Sequence, residues 1–362
     1  MLETKYLFDI TTRHSLYVEH IKLGMYKELQ KVLAELSNEL KKLFARLRFK
    51  TLDEMNKRQL QQLVVNLRRL QSRIFGSYAH ALITQIEEFM FADLSIQKRM
   101  FVTAINNSTS GPLVTDRYGV VSEEDADEFI PLWATTNRTS PLYGMAAILG
   151  GAGLWATIRN APMPANGLTV PNFTSSFSLS AQNRIESLLR QGWANRIATN
   201  DFIDILTGTP TGVLGGIRQG SSSQIDRIFN QGSAVIDTQL QFVSQVVSAG
   251  VASAMFTRYV WNAVLDRGTC ETCKGRDGVI FQYGVGPIPP AHTRCRCSTA
   301  PVGDDLARAA AISAVSLSEW LADQPEDVRQ EFADSYRNGA YSPQGILTAS
   351  NFTRKLRHIT AR

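Results

Sequence analysis

Cysteine is scarce in this chain of 362 residues, and the four present all fall between Cys270 and Cys297. So narrow a placement excludes a disulfide framework running through the whole fold. Proline is missing before Pro112, so nothing in the first hundred residues interrupts a long helix. No run of about 18 apolar residues occurs, so no membrane-spanning helix is expected. The opening Met1-Leu-Glu-Thr-Lys leads into a mixed polar stretch rather than an apolar core of the signal-peptide kind, so a secretory leader is not expected. Of five histidines, His14, His20, His80 and His358 are scattered, with no second ligand at metal spacing. No Ser-His-Asp or Cys-His nucleophile pattern can be read. Gly150-Gly-Ala-Gly153 lacks the Gly-Lys-Ser/Thr of a phosphate loop. Charge is thin too: 20% of residues are charged, and between Thr139 and Asn183 the only one is Arg159.

Against these absences stands one dense cluster. Cys270-Glu-Thr-Cys273 is followed by a loop and then by His292-Thr-Arg-Cys295-Arg-Cys297. Four thiols and an imidazole exceed the roughly four ligands that a tetrahedral zinc site takes. The intervening loop holds turn formers: Gly275, Asp277-Gly278, Gly284, Gly286 and the run Pro287-Ile-Pro-Pro290. A structural metal is the first reading, with zinc inferred from the softness of the ligands. Two disulfides could use the same cysteines, and a catalytic zinc would need an open position with a base nearby. The carboxylates at hand, Asp266, Glu271 and Asp277, belong to no His-Glu-x-x-His or His-x-Glu motif. A redox Cys-x-x-Cys would call for a βαβ context that is not seen here. Cys270, Cys273 and His292 are the expected ligands, with Cys295 or Cys297 completing the set. No catalytic or organic-cofactor residue is expected.

The run Asp266-Arg-Gly-Thr-Cys270-Glu-Thr-Cys273, then Arg276-Asp-Gly278, then Pro287-Ile-Pro-Pro-Ala-His292-Thr-Arg-Cys-Arg-Cys297, closing at Pro301-Val302, resembles the Mu-F-like head-morphogenesis (minor head) proteins of tailed bacteriophages. Ala291-His292-Thr293 departs from the commoner His-Pro, which alters a turn and no ligand. Ser318-Glu-Trp-Leu-Ala-Asp-Gln-Pro325 is similar to a tail found in some of these proteins. The resemblance covers roughly the C-terminal half. It implies a structural protein without turnover, inside the capsid near the portal, acting in head assembly, DNA packaging or ejection. The implied partners are the portal protein, packaged double-stranded DNA and other head proteins, with several copies per virion. Assembly would take place in the host bacterial cytoplasm. Two other classes are a zinc-dependent nucleic-acid-processing enzyme and a DNA-binding zinc module gripping phosphates through Arg294 and Arg296.

Elsewhere, hydrophobic periodicity dominates. Leu29, Val32, Leu33, Leu36, Leu40, Leu43, Phe44 and Leu47 recur at helical steps, as do Leu60, Leu63, Val64, Leu67, Leu70, Ile74 and Phe75. Their spacing drifts from strict heptads, which favours a bundle core over a dimerising coiled coil. Thr51-Leu-Asp-Glu54 reads as a capping box between the helices. From Lys22 to Arg99 there are 15 Lys and Arg against 8 Asp and Glu, read as a solvated face or as proximity to packaged DNA. Glu123-Glu-Asp-Ala-Asp-Glu128 fits a helix start, and serine at 221–223 fits an N-cap. Residues 139–183 read as an irregular stretch: an insertion buried at a subunit interface, an arm ordered in an assembly, or a membrane-active segment. Helix is expected from Gln239 to Leu265 and again from Asp304 to Leu321, with a basic end at Arg354-Lys355-x-Arg357.

The expected fold is mainly α. An N-terminal helical hairpin or bundle spans 1–106 and an irregular low-charge insertion 107–179. A helical core spans 180–265, a Cys/His metal-binding module with loop and β character 266–303, and a helical tail 304–362.

Overall fold

Forty-two residues without proline or an internal stop, Thr4–Ala45, form α1, and fifty-three more, Lys57–Thr109, form α2. At 1.5 Å per residue these helices are about 63 and 80 Å long. The structure is a computed structural model that describes residues 3–109, 113–116, 119–134, 150–208, 223–264, 269–303, 322, 324–327 and 329. Six further helices follow in the described residues: α3 (Glu123–Ala134), α4 (Gly150–Asn160), α5 (Val170–Ala194), α6 (Thr199–Thr207), α7 (Gln224–Ser253) and α8 (Glu271–Arg276). Three short strands, β1 (Arg258–Asn262), β2 (Ile280–Gln282) and β3 (Ser298–Pro301), complete the set. The protein is mainly helical, with one small antiparallel sheet and a Cys/His cluster, as its sequence periods anticipate.

The chain divides into two compact units, residues 1–24, 85–170 and 237–362 in one, and 25–84 with 171–236 in the other. In the second unit, Leu29, Leu33, Leu36, Leu40 and Phe44 of α1 are buried, as are Leu60, Leu63, Val64, Leu67, Ile74 and Phe75 of α2. These are the periodic residues, so the hydrophobic stripe does form the core. Edge-on aromatic pairs, Phe44 with Phe202 at 5.2 Å and Phe75 with Phe177 at 5.9 Å, tie in α6 and α5. Gly232 of α7 permits a close approach, since a Cβ there would lie 2.6 Å from Leu29 and 3.0 Å from Phe177.

Helix starts depart from expectation at one point. Thr51 makes no capping bond, and Leu52–Glu54 form a single 3-10 turn whose Leu52 is fully buried. The true box lies five residues on. Asn56 Oδ1 accepts from the Gln59 N–H at 2.9 Å while Gln59 Oε1 accepts from the Asn56 N–H at 2.9 Å. Thr51 is instead paired opposite Ala198 in an isolated β-bridge, with the Leu52 N–H donating to the Ile197 carbonyl at 3.0 Å, so tertiary pairing and the burial of Leu52 set the chain here. Elsewhere, Ser122 and Ser223 cap α3 and α7 through the Asp125 and Asp226 N–H groups at 3.0 and 3.1 Å. The acidic run and the serine run therefore do begin helices.

The segment 107–179, expected to be irregular, holds α3, α4 and the start of α5; residues 135–149 lie outside the described set. Within it Leu154, Trp155, Ile158, Met163 and Val170 are all buried. A second correction concerns Gln239 to Leu265. The helix stops at Ser253 and the chain continues as β1, where Tyr259, Val260 and Trp261 are β-formers that pair on both edges. The expected helix from Asp304 to Leu321 and the basic C-terminal end lie outside the described residues.

In the first unit, α7 is buried nearly all round from residue 238 to residue 253, polar side chains included. Several of those side chains are paired. Gln239 donates to the Val170 carbonyl at 2.7 Å, and Gln97 donates to the Ser244 carbonyl at 3.2 Å and to Asp93 at 2.9 Å. Asp93 also meets His14 Nε2 at 2.5 Å. His14 is therefore a structural histidine in a buried polar chain. The sheet order is β2-β1-β3, with Tyr259 opposite Phe281 on one edge and Trp261 opposite Thr299 on the other. It is anchored to α1 by Asn262 Nδ2 donating to Thr12 Oγ1 (3.2 Å) and by the Gly303 N–H donating to Thr4 Oγ1 (2.9 Å).

Candidate metal centre

The module between β1 and β3 is too small to build a core from aliphatic side chains. Its buried cluster is Trp261, Ala263, Cys273, Cys295 and Cys297, with Cys270, Phe281 and Ala291 packed against it. Three of those five buried residues are thiols, which is the first sign that sulfur does more here than fill space.

Cys270 is the N-cap of α8, and its sulfur accepts from the Cys273 N–H at 3.4 Å. That bond turns the Cys-x-x-Cys so that both sulfurs face inward. The turn after α8 is fixed by Asp277, whose Oδ1 accepts from the Ala263 N–H at 2.9 Å, and by the Gly278 N–H donating to the Trp261 carbonyl. Gly278 has φ +71°, a conformation that favours glycine. Arg276 lies over the Trp261 ring at 5.0 Å, closing the cluster with a cation–π contact.

The second arm of the site arrives from the loop after β2. Cys273 Sγ lies 3.5 Å from His292 Nε2 and 3.9 Å from Cys295 Sγ. Two overlapping triads result, Cys270–Cys273–His292 and Cys273–Cys295–Cys297, each with its ligand atoms within 4.8 Å of one another and Cys273 common to both. The fold thus gathers all five residues singled out in the sequence, and the four cysteines are free thiols. A cavity of about 20 Å³ opens between Cys273, His292 and Cys297, bordered by Thr269, Arg294 and Arg296. His292 Nδ1 lies 2.9 Å from the Thr293 carbonyl. A carbonyl can only accept, so Nδ1 carries a proton, and Nε2 is the nitrogen that faces the sulfurs. A metal-ligating histidine typically holds its other ring nitrogen in such a bond to a carbonyl.

Electrostatics within the cluster agree. Hydrogen bonds from Cys273 and Cys297 push the Cys295 thiol down to about 2, while the Cys273 thiol, donating to Cys295, is pushed up to about 12. Cys297 is likewise raised by its bonds to Cys273 and Cys295. At Cys270 burial opposes ionisation, yet the Cys273 N–H leaves the thiol below its ordinary value. Sulfurs packed this tightly cannot all ionise without a counter-charge, and a bound cation would displace the remaining protons. The set is able to hold a metal ion.

Four residues that the sequence pattern does not flag hold the second arm in place, all on one side of α7. Thr238 Oγ1 accepts from the Arg294 N–H at 3.0 Å, where the backbone takes a left-handed turn (φ +62°). Asp237 faces the Arg294 guanidinium at 3.6 Å. Gln241 donates to the Cys297 carbonyl at 2.6 Å, and Gln245 Oε1 accepts from both the N–H and the hydroxyl of Thr299 at 3.0 and 3.2 Å. The available signal is the recurrence of Thr238, Gln241 and Gln245 at steps of three and four in the buried stretch of the helix. Among the carboxylates near the cysteines in sequence, Glu271 pairs with Lys274 at 2.8 Å and Asp277 is engaged with the backbone, while Asp266 lies outside the described residues.

No family model matches the chain, and no curated protein or solved structure matches it. No helix among the described residues is long and apolar enough to cross a membrane.

Proposed function

We propose that this chain is a structural minor head protein of a tailed bacteriophage, with a C-terminal module clasped by one zinc ion. The observation that carries the reading is the meeting, at Cys273, of the two ends of the Cys-x-x-Cys … His-x-x-Cys-Arg-Cys run on which the family resemblance rests. Zinc fits a thiolate and imidazole donor set. Cys270, Cys273 and His292 are ligands in this reading, and Cys295 or Cys297, both beside Cys273, completes the set. The role of the ion is structural: ligation can contribute on the order of 10 kcal/mol of apparent folding free energy to a module without a core of its own. No turnover is assigned, since Glu271 and Asp277 are occupied by Lys274 and the backbone. In this reading the protein acts inside the head near the portal, in several copies, in assembly or in DNA packaging and ejection. Its partners are the portal protein, other head proteins and the packaged genome.

The test is elemental analysis of purified protein beside Cys273→Ser, together with a pull-down using the portal protein of the same genome. One equivalent of zinc, lost with thermal stability in the variant, and retention of the portal protein are expected. Absence of metal with all four thiols oxidised would remove the clasp. Zinc without portal binding would leave the clasp and remove the head-protein assignment.

A further inference from the structure

We propose that the exposed stripe Arg58, Gln62, Asn66, Arg69 and Arg73 of α2, joined by Arg46 just after α1, is a docking surface for the phosphate backbone of duplex DNA. It lies outside the metal module and names the surface by which the proposed head protein would meet a genome. The proposal does not depend on zinc.

The charge of the chain is concentrated in one unit. Residues 25–84 and 171–236 hold 17 Lys and Arg against 9 Asp and Glu, while the remainder holds 21 against 24. Within that unit the stripe positions follow at steps of four, four, three and four, all exposed and none acidic. Their common face is enforced by Leu60, Leu63, Val64, Leu67 and Ile74, which are buried on the other side of the same helix.

Neighbouring charge shows that these cations are not neutralised within the chain. Arg68, off the stripe, is held by Glu186 through two bonds of 2.7 and 2.9 Å. Among the described residues Arg46, Arg58, Arg69 and Arg73 have no ion pair. The carboxylate that links the two helices electrostatically is Glu39, held below its usual range first by Lys42 and then by Arg73 and Arg46. Three cations thus converge on one acid, and the surplus faces solvent. The link between α1 and α2 is fixed by Trp193 Nε1 donating to the Met55 carbonyl (2.9 Å), the Leu52 N–H to Ile197 (3.0 Å) and the Thr199 N–H to Lys50 (2.9 Å). The row is therefore presented on a rigid support.

Three features select duplex DNA. From Arg58 to Arg73 the row is about 22 Å long, which passes phosphates spaced one per about 1.7 Å of duplex axis. Gln62 Nε2 donates to Asn66 Oδ1 at 3.2 Å, which orients the Asn66 amide N–H groups between the arginines as donors suited to phosphate oxygens. The stripe carries no aromatic side chain on which unstacked bases of a single strand could lie. An anionic membrane is disfavoured because the exposed large apolar residues described in this unit, Leu179 and Ile205, belong to α5 and α6 and not to the stripe.

The test is fluorescence anisotropy of the full chain with a duplex of about 30 base pairs, titrated at several salt concentrations. With about four phosphates contacted, the plot of log affinity against log salt should have a slope near −4. The variant Arg46→Gln/Arg58→Gln/Arg69→Gln/Arg73→Gln should bind at least about 30-fold more weakly at low salt, with a slope close to zero. If it fails to keep the wild-type melting curve, Arg58→Gln/Arg69→Gln should remove about half of the slope. Cys273→Ser should keep the affinity, which separates this surface from the metal module. Unchanged binding by the folded variants, no binding by wild type, or stronger binding to phosphatidylserine vesicles than to the duplex would each overturn the proposal.

Discussion

The helical unit of residues 25–84 and 171–236 and the sheet module of residues 258–303 solve the same problem by different means. The first buries leucine and phenylalanine along helices long enough to repeat the pattern many times. The second has strands of five, three and four residues and a helix of six, and its buried centre is one tryptophan, one alanine and three thiols. Periodicity suffices where the chain is long and regular. Where the elements are short, conformational entropy outweighs what so little apolar area returns, and the sulfurs answer that shortfall if they bind an ion. The contrast teaches that metal dependence should be regional.

The strongest way to break this comparison is chelation. Removing metal from the folded chain at neutral pH should abolish the near-ultraviolet signal of Trp261 and open the four thiols to modification, with far-ultraviolet helicity largely kept. Loss of all helix in the same step would mean that the regions are not separable in this way. A smaller effect of opposite pattern is expected for Phe44→Ala, which vacates a fully buried site against Phe202. It should cost about 3–5 kcal/mol by denaturant unfolding and leave metal content unchanged.

The smallest effect concerns pH. Asp237 is pushed up to about 6, first by burial, against the pull of Lys22, Arg294 and Arg296 and with Glu19 adding to the rise. A carboxyl raised in the folded state binds its proton more tightly there than in the unfolded chain. Its contribution is therefore most favourable below the ordinary carboxyl value and declines as pH rises through about 6. Asp237→Asn should flatten the stability profile between about pH 4 and 6. An unchanged profile would show that another group governs it.

Much of this was legible in the sequence because it depends on near neighbours. The stripes on α1 and α2 repeat within a few residues, and the ligands form two short runs whose spacing declares their chemistry. Thr51 misled because the burial of Leu52, a tertiary contact, outweighed local capping and moved the cap to Asn56. The low charge of 139–183 resembled that of an irregular insertion, although α4 and α5 occupy much of it and bury Leu154, Trp155, Ile158 and Val170. The strand at Tyr259–Trp261 was concealed by a long apolar run whose period alone does not separate strand from helix. The support from Thr238, Gln241 and Gln245 was illegible since its partners, Arg294, Cys297 and Thr299, stand more than fifty residues further on.

That support has a consequence for how the chain can vary. Three hydrogen-bonding side chains on one side of α7 read three backbone groups between Arg294 and Thr299 in order, so the helix acts as a ruler for the loop. A helix turns by about 100° with each added residue. One residue inserted between Gln241 and Gln245 would swing Gln245 away from Thr299 while Thr238 stayed on Arg294, and the segment between would be pulled out of register. Substitution along α7 is limited by volume and polarity, but its length between Thr238 and Gln245 is fixed by counting.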